Sequence, residues 1–523
     1  MRKRLLICVI LAALPLAAAL TQPVRTDSGL VSGVPGSHPS VVAFKGIPFA
    51  APPVDDLRWR SPKPPASWQG VKKADQFSDS CIQNIVRERK PWTYEFMPHN
   101  GVSENCLYLN VWTGATASTE RLPVLVWLHG GGYTEGSTAV PIYDGENLAK
   151  SGIVVVTINY RLGVLGFLAH PDLTAESNRN ASGNYGTLDQ IAALEWVKKN
   201  IAVFGGDPKR VTLGGQSAGA GAVHNLTASP LAKGLFVRAI AQSGSGIVPA
   251  ALSSRFMGLG EAEEQGVKFA GTKSAHSIKE LRAVEWHDLA ASAANGPSFS
   301  FRPIIDGWGL PAPVDDIFAQ GKQSDVPTLT GLVADESSSQ ADYGAIPAEQ
   351  WNQQVLQRFG DLADAFLKLY PAATDAQAGA SQVVSSRDRG LVSMHLWAER
   401  RAKTAKTKVY TYYWTHAQPG PDSARYGAFH SSEVPYVFFT LKTSDRPWAA
   451  EDRKIAETIG AYWVNFITTG DPNGKGLAQW PPFREQAGVT MELGDRFGPR
   501  PVAEKSKIDF LKQYFSRPNA ASR

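Results

Sequence analysis

The sequence predicts an α/β fold with a mostly parallel central sheet, and three observations carry that prediction. Apolar runs at 124–128, 153–158, 211–214, 238–242, 327–333 and 408–413 read as core strands. They alternate with helical patterns such as 187–200, the succession expected of an α/β domain. The third observation is Gly215-Gln216-Ser217-Ala218-Gly219, set between the run Val211-Thr-Leu213 and a small-residue helical segment. A Gly-x-Ser-x-Gly at a strand-to-helix junction marks a turn so sharp that a Cβ on either glycine would collide with backbone.

The first strand of interest, Pro123-Val-Leu-Val-Trp-Leu128, runs directly into His129-Gly130-Gly131-Gly132. Three glycines let main chain approach a bound molecule with no side chain between. Acyl transfer builds negative charge on a carbonyl oxygen, and preorganised N–H groups stabilise it. Gly131, Gly132 and Ala218, the residue after the serine, are the expected oxyanion donors. A phosphate loop fits less well, because no Gly-Lys-Ser/Thr follows.

The strand ending at residue 214 presents Ser217 at the start of a helix. A serine hydroxyl needs an adjacent base that is itself oriented by a carboxylate. In the elbow arrangement the chain order is serine, acid, histidine, so both partners are sought after Ser217. The strand-like Pro327-Thr-Leu-Thr-Gly-Leu-Val-Ala ends in Asp335-Glu336, and strand carboxyl ends are where open α/β sheets place their sites. Spacing alone does not choose between these two carboxylates. Three histidines lie beyond them. His395 falls in a helical pattern and reads as a packing or surface residue. His416 ends the strand-like Lys408–Trp414 and competes on position. His430 lies in a loop bracketed by Gly427 and Pro435, the commoner setting for a catalytic group.

Beyond these elements the chain resembles the carboxylesterase type B family over nearly its whole length after the N-terminal segment. The resemblance is carried by Phe44-Lys-Gly-Ile-Pro-Phe-Ala-Ala-Pro-Pro53, Leu57-Arg-Trp-Arg60 and Ser103-Glu-Asn-Cys-Leu-Tyr-Leu-Asn-Val-Trp112. It continues through Asn159-Tyr-Arg-Leu-Gly163, Gly183-Asn-Tyr-Gly186, Leu188-Asp-Gln190, Phe204-Gly-Gly-Asp-Pro208, Gly427-Ala-Phe-His430, Tyr462-Trp-Val-Asn-Phe466 and Thr469-Gly-Asp-Pro472. It implies a single α/β-hydrolase domain over 20–523, with a large, mostly parallel sheet flanked by helices and long insertions over the active site. It selects Glu336 as the acid and His430 as the base, and gives Ser243 a supporting place behind them. It also implies a disulfide between Cys81 and Cys106. Two positions depart from the family pattern. Gln216 stands where glutamate is common, which removes a negative charge beside the site, and Ser337 stands where glycine is frequent.

The resemblance implies a serine esterase acting through an acyl-enzyme, with a small-molecule ester as substrate and no cofactor. Tyr133, after the glycine loop, and Phe299 and Phe301, where related esterases often line the acyl side, are pocket candidates, as is Trp308 after Ile305-Asp-Gly307. Aromatic walls suit an apolar acyl or alcohol group. A thioesterase or amidase using the same residues, a true lipase and a non-catalytic esterase-like binding protein are the alternatives.

The N-terminus reads Met1-Arg-Lys-Arg4, an apolar run from Leu5 to Leu16, then Ala17-Ala-Ala19. That order is a secretory signal over 1–19, too short in its apolar part to span a bilayer, which places the mature chain outside the cell or in the periplasm without stable membrane insertion. Removing Arg2, Lys3 and Arg4 lowers the formal charge from +5 to +2, no footprint for nucleic acid. Cys8 leaves with the signal, so Cys81 and Cys106 remain in a compartment where a disulfide persists. The ten histidines form no His-x-x-x-His pair, and no metal site is expected. The Ser/Ala/Gly-rich stretch 289–298 reads as a surface loop over the site.

Overall fold

Alternation along single strands explains how the sheet is buried. Within Leu122–Leu128, Val124, Val126 and Leu128 join one apolar cluster, while Leu125 and Trp127 join another. Successive side chains leave opposite faces of a strand. One strand thus feeds two cores, the condition of a parallel sheet covered by helices on both faces. The computed structural model describes residues 19–244, 257–291, 298–483 and 488–517. All of the expected signal but Ala19, and residues 292–297 of the Ser/Ala/Gly-rich stretch, lie outside the described residues.

Among the described residues the main sheet has eleven strands. In chain order these are β1 (Val34–Pro35), β2 (Val42–Pro48), β3 (Tyr108–Thr113), β4 (Leu122–Leu128) and β5 (Val154–Ile158), then β6 (Gly206–Gln216), β7 (Arg238–Gln242), β8 (Thr328–Val333), β9 (Val409–Trp414), β10 (Val489–Leu493) and β11 (Gly498–Pro501). Their spatial order is β11-β10-β9-β8-β7-β6-β4-β5-β3-β2-β1. The run from β10 to β5 is parallel, and the pairings outside it are antiparallel. The six strands expected from apolar runs are β4 to β9. The edge strands carry a weaker signal for physical reasons. A register shift between Phe44 and Ile47 interrupts β2, and β11 is Gly-Pro-Arg-Pro, tolerated only because it closes the sheet edge.

Helices α1 (Tyr185–Asn200) and α2 (Ala218–Ala228) send Ile191, Leu194, Val223 and Leu226 into one core. On the other face, α3 (Asp375–Thr404) and α4 (Ala450–Thr469) supply Leu391, Val392, Ile459 and Trp463. No helix among the described residues is long and apolar enough to cross a membrane.

Cys81 and Cys106 are bonded, closing a loop with a sequence separation of 25. In the chain-entropy picture such a closure contributes roughly 3 kcal/mol by restricting the unfolded chain. The double Cys81→Ala/Cys106→Ala variant is therefore expected to lose about 3 kcal/mol in a urea titration. A midpoint and slope unchanged from wild type would show that the bridge is stabilising nothing.

Candidate active site

Ser217 follows β6 at φ +58° and ψ −121°, a backbone conformation that side-chain-bearing residues seldom adopt. The flanking glycines make it possible. A Cβ on Gly215 would lie 2.5 Å from the Gly219 oxygen, and one on Gly219 would lie 2.1 Å from the Leu128 oxygen. The turn is tied to the sheet by the Ser217 N–H, which donates to the Gln242 oxygen at 2.8 Å. Behind it the Gln242 amide donates to buried Glu433 at 3.0 Å and accepts from the Trp463 indole at 2.9 Å. Burial pushes the Glu433 carboxyl up to about 7.

His430 Nε2 lies 2.7 Å from Ser217 Oγ, and its Nδ1 is hydrogen-bonded to Glu336 Oε2. The other oxygen of Glu336 accepts from the Val333 N–H at 3.0 Å, fixing the carboxylate against the end of β8. Burial pushes the imidazole pKa down, but the charge and hydrogen bond of Glu336, with Glu433 beyond, outweigh it and leave His430 above its ordinary value. The structure thus brings Ser217, His430 and Glu336 into one chain of hydrogen bonds.

Asp335 is turned elsewhere. Its carboxylate takes the Ala428 N–H at 2.9 Å, Arg387 at 2.6 Å and the Tyr343 hydroxyl at 2.9 Å, so it fastens the loop that carries His430. Trp92 holds the same loop from the opposite side, its indole donating to the His430 oxygen at 2.9 Å. His416 is committed to other partners, with Nδ1 2.6 Å from Asp495 and Nε2 2.9 Å from Asp452. His395 is buried within α3, 2.9 Å from Glu399.

The glycine loop borders the serine, since a Cβ on Gly130 would lie 3.0 Å from Ser217 Cβ. Gly131 and Gly132 have φ of +106° and +64°, values that favour glycine. Among the described residues, no acceptor takes the N–H of Gly131, Gly132 or Ala218. His129 shapes the loop rather than the chemistry. It is buried, stacks on Tyr160 at 4.4 Å and hydrogen-bonds the Gly130 oxygen at 2.9 Å, and burial lowers its pKa to about 4.

A pocket of about 240 Å³ opens over Ser217 and His430, walled by Trp92, Phe96, Met97, Val140 and Tyr143. Arg89, ion-paired to Glu135, stands among its lining residues. Gln216 is buried with its amide nitrogen 3.2 Å from His430 Nε2. Ser243 follows β7 at φ +52°, and its buried hydroxyl has no partner among the described residues. Tyr133 packs edge-on against Phe167 at 5.5 Å. Phe299 and Phe301 pack on Phe269 in a neighbouring cleft of about 430 Å³ that shares Thr134 with the pocket. Trp308 sits under Arg179 in another cleft that shares none of the pocket's lining residues. Trp92, Phe96 and Met97 escaped the sequence reading. Their one visible sign is that they fall inside the loop closed by Cys81 and Cys106.

Residues 21–510 match the Carboxylesterase family. The chain belongs to that family. It is a carboxylic ester hydrolase of the α/β-hydrolase fold. It is 40% identical over 504 residues to the fumonisin B1 esterase of Sphingopyxis macrogoltabida, an alignment covering 93% of this chain and 89% of the relative. It is 33% identical to the para-nitrobenzyl esterase of Bacillus subtilis (strain 168), covering 90% and 94% of the two chains. The cocaine esterase of Oryctolagus cuniculus is 34% identical over 88% and 90%. Among solved structures, a PNB esterase superposes on this carboxylesterase with a TM-score of 0.78 at 31% identity, covering 93% of this chain and 99% of that one.

Proposed function

We propose that this carboxylesterase cleaves its substrate by two-step acyl transfer at Ser217. The carrying observation is the hydrogen-bonded series Ser217 Oγ, His430 Nε2 and Nδ1, Glu336 Oε2. Ser217 attacks the ester carbonyl while His430 takes its proton, and Glu336 holds the imidazole in the tautomer whose Nε2 is free to accept. The carbonyl oxygen becomes an oxyanion bound by the N–H groups of Gly131, Gly132 and Ala218. His430 then protonates the leaving alcohol, and water repeats the sequence on the acyl-enzyme. No cofactor enters these steps. Residues 20–523 act as a single domain, and the Cys81–Cys106 bridge supports export to the periplasm or the exterior.

An organophosphate reagent tests this reading directly. Stoichiometric phosphorylation of Ser217, found by peptide mass spectrometry and matched by loss of p-nitrophenyl ester hydrolysis, is the expected result. Label on another residue, or none, would overturn it. Para-nitrobenzyl esters and fumonisin B1, the compounds named for the relatives, are the first substrates to assay. Matched ester, thioester and anilide then separate an esterase from a thioesterase or amidase, with the ester expected to turn over fastest.

Gln216 sets the electrostatics of the base. Its neutral amide meets His430 Nε2, so no carboxylate at this position adds to the upward push of Glu336 and Glu433. The acid limb of kcat/KM follows deprotonation of His430 in the free enzyme. Because the folded value is raised, activity is expected to appear above the titration of an ordinary imidazole. Gln216→Glu adds an anion that favours the imidazolium, and should move that limb to higher pH. A limb that stays in place or moves down would remove Gln216 from the account.

A further inference from the structure

The two glycine N–H groups proposed as oxyanion donors must point at substrate, so neither can be held by a hydrogen bond of its own. A peptide unit is planar and trans, and each N–H is therefore aimed by the carbonyl at the other end of its plane. The Gly132 N–H shares its plane with the Gly131 oxygen. That oxygen accepts from the N–H groups of Thr134 and Glu135, each at 3.0 Å, and from the Thr134 hydroxyl at 3.2 Å. The Gly131 N–H shares its plane with the Gly130 oxygen, which lies against Gly136, where a Cβ would run into it. A Cβ on Gly131 would collide in the same way with the Glu135 oxygen. The aim of both donors is thus set by the segment 134–136 packed against them.

That segment must be held in turn, because glycine-rich backbone has the most freedom to lose. Its partner comes from the loop closed by the disulfide. Gln83, buried and two residues beyond Cys81, meets Gly136 on both backbone groups, 53 residues along the chain. Gln83 Oε1 accepts from the Gly136 N–H at 2.8 Å, and Nε2 donates to the Gly136 oxygen at 2.7 Å. Nε2 also donates to the Cys81 oxygen at 3.0 Å, which ties the amide to the bridge. The Gly136 N–H that Gln83 accepts belongs to the same peptide unit as the Glu135 oxygen abutting Gly131. Gln83 lines the neighbouring cleft rather than the pocket over Ser217, whereas Gly136 lines the pocket.

We propose that Gln83 is a positioning residue for the oxyanion donors: by gripping Gly136 at both its N–H and its carbonyl, it fixes the direction of the Gly131 and Gly132 N–H groups. This role presupposes the acyl transfer at Ser217 proposed above. Because the oxyanion forms only on the way through the transition state, loss of the grip falls on kcat rather than on KM.

Gln83→Met keeps the length of the side chain and removes its hydrogen bonds, and Gln83→Asn keeps the amide but leaves it a methylene short of Gly136. With turnover expressed per serine titrated by the organophosphate, kcat for a p-nitrophenyl ester should fall about ten- to a hundredfold in each, with KM within about twofold. An alkyl trifluoromethyl ketone supplies a readout that a merely structural role would not move. Ser217 Oγ adds to its carbonyl carbon, the serine proton passes to His430, and the hemiketal oxygen takes the oxyanion position. Its inhibition constant should rise by the factor by which kcat falls, while that of the matching trifluoromethyl alcohol, which forms no oxyanion, stays within about twofold. The acid limb of kcat/KM should not move, since base and acid are untouched. Unchanged kcat per titrated serine, or equal weakening of ketone and alcohol, would overturn the role of Gln83 alone. Wild-type enzyme that binds the ketone no tighter than the alcohol would instead remove the oxyanion reading and the role of Gln83 together.

Discussion

Ser217→Ala is expected to lower kcat for a short p-nitrophenyl ester by on the order of 10⁶, with little change in KM. The size follows from the geometry. Without the hydroxyl, His430 has no nucleophile 2.7 Å from Nε2, and only water and the proposed oxyanion donors remain to lower the barrier. A millionfold corresponds to about 8 kcal/mol of transition-state stabilisation. Alanine relieves no backbone strain at φ +58°, because the conformation is imposed by the close approach of Gly215 and Gly219 to neighbouring carbonyls. The variant should therefore keep the wild-type unfolding temperature to within a few degrees. An activity loss of less than about tenfold would mean that another group forms the acyl-enzyme, and the two-step scheme would fall with it.

This centre was partly legible in the sequence because its most demanding component is local. Gly215, Ser217 and Gly219 answer to a steric problem solved within five residues, so their spacing survives in the chain as a motif. The three glycines after β4 are legible for the same reason. The choice between Asp335 and Glu336 is different in kind. Adjacent residues point to opposite sides of an extended chain, and which side meets His430 depends on how β8 is seated beside the loop through Ala428, a contact 93 residues away. Trp92 is further out of reach, since its bond to the His430 oxygen spans 338 residues. The aromatic candidates show a third limit. Phe299 and Phe301 form an aromatic cluster with Phe269, yet nothing in their own segment tells which of two adjoining clefts it will line.

Adjacent carboxylates with separate duties yield the second large effect, and one experiment that reads both. Glu336→Gln should lower kcat by about 10⁴, because an amide nitrogen can donate to Nδ1 and favour the tautomer that cannot accept the serine proton. That is about 5 kcal/mol of barrier. The same change removes the charge and the hydrogen bond that hold His430 above its ordinary pKa, leaving burial to act in the opposite direction. The acid limb of the residual activity should accordingly shift to lower pH. Asp335→Asn keeps an oxygen for the Ala428 N–H but gives up the charge paired with Arg387 at 2.6 Å, on side chains that are 37% and 10% exposed. Its cost should fall on stability, roughly 1–2 kcal/mol, with kcat reduced by no more than about tenfold and the pH limb unmoved. Measuring kcat/KM across pH for both variants separates orienting the base from fastening its loop. If Asp335→Asn proves the more damaging in kcat, or displaces the limb, then the carboxylate governing the base is Asp335, and the bond from Glu336 to His430 Nδ1 is not the one used in turnover.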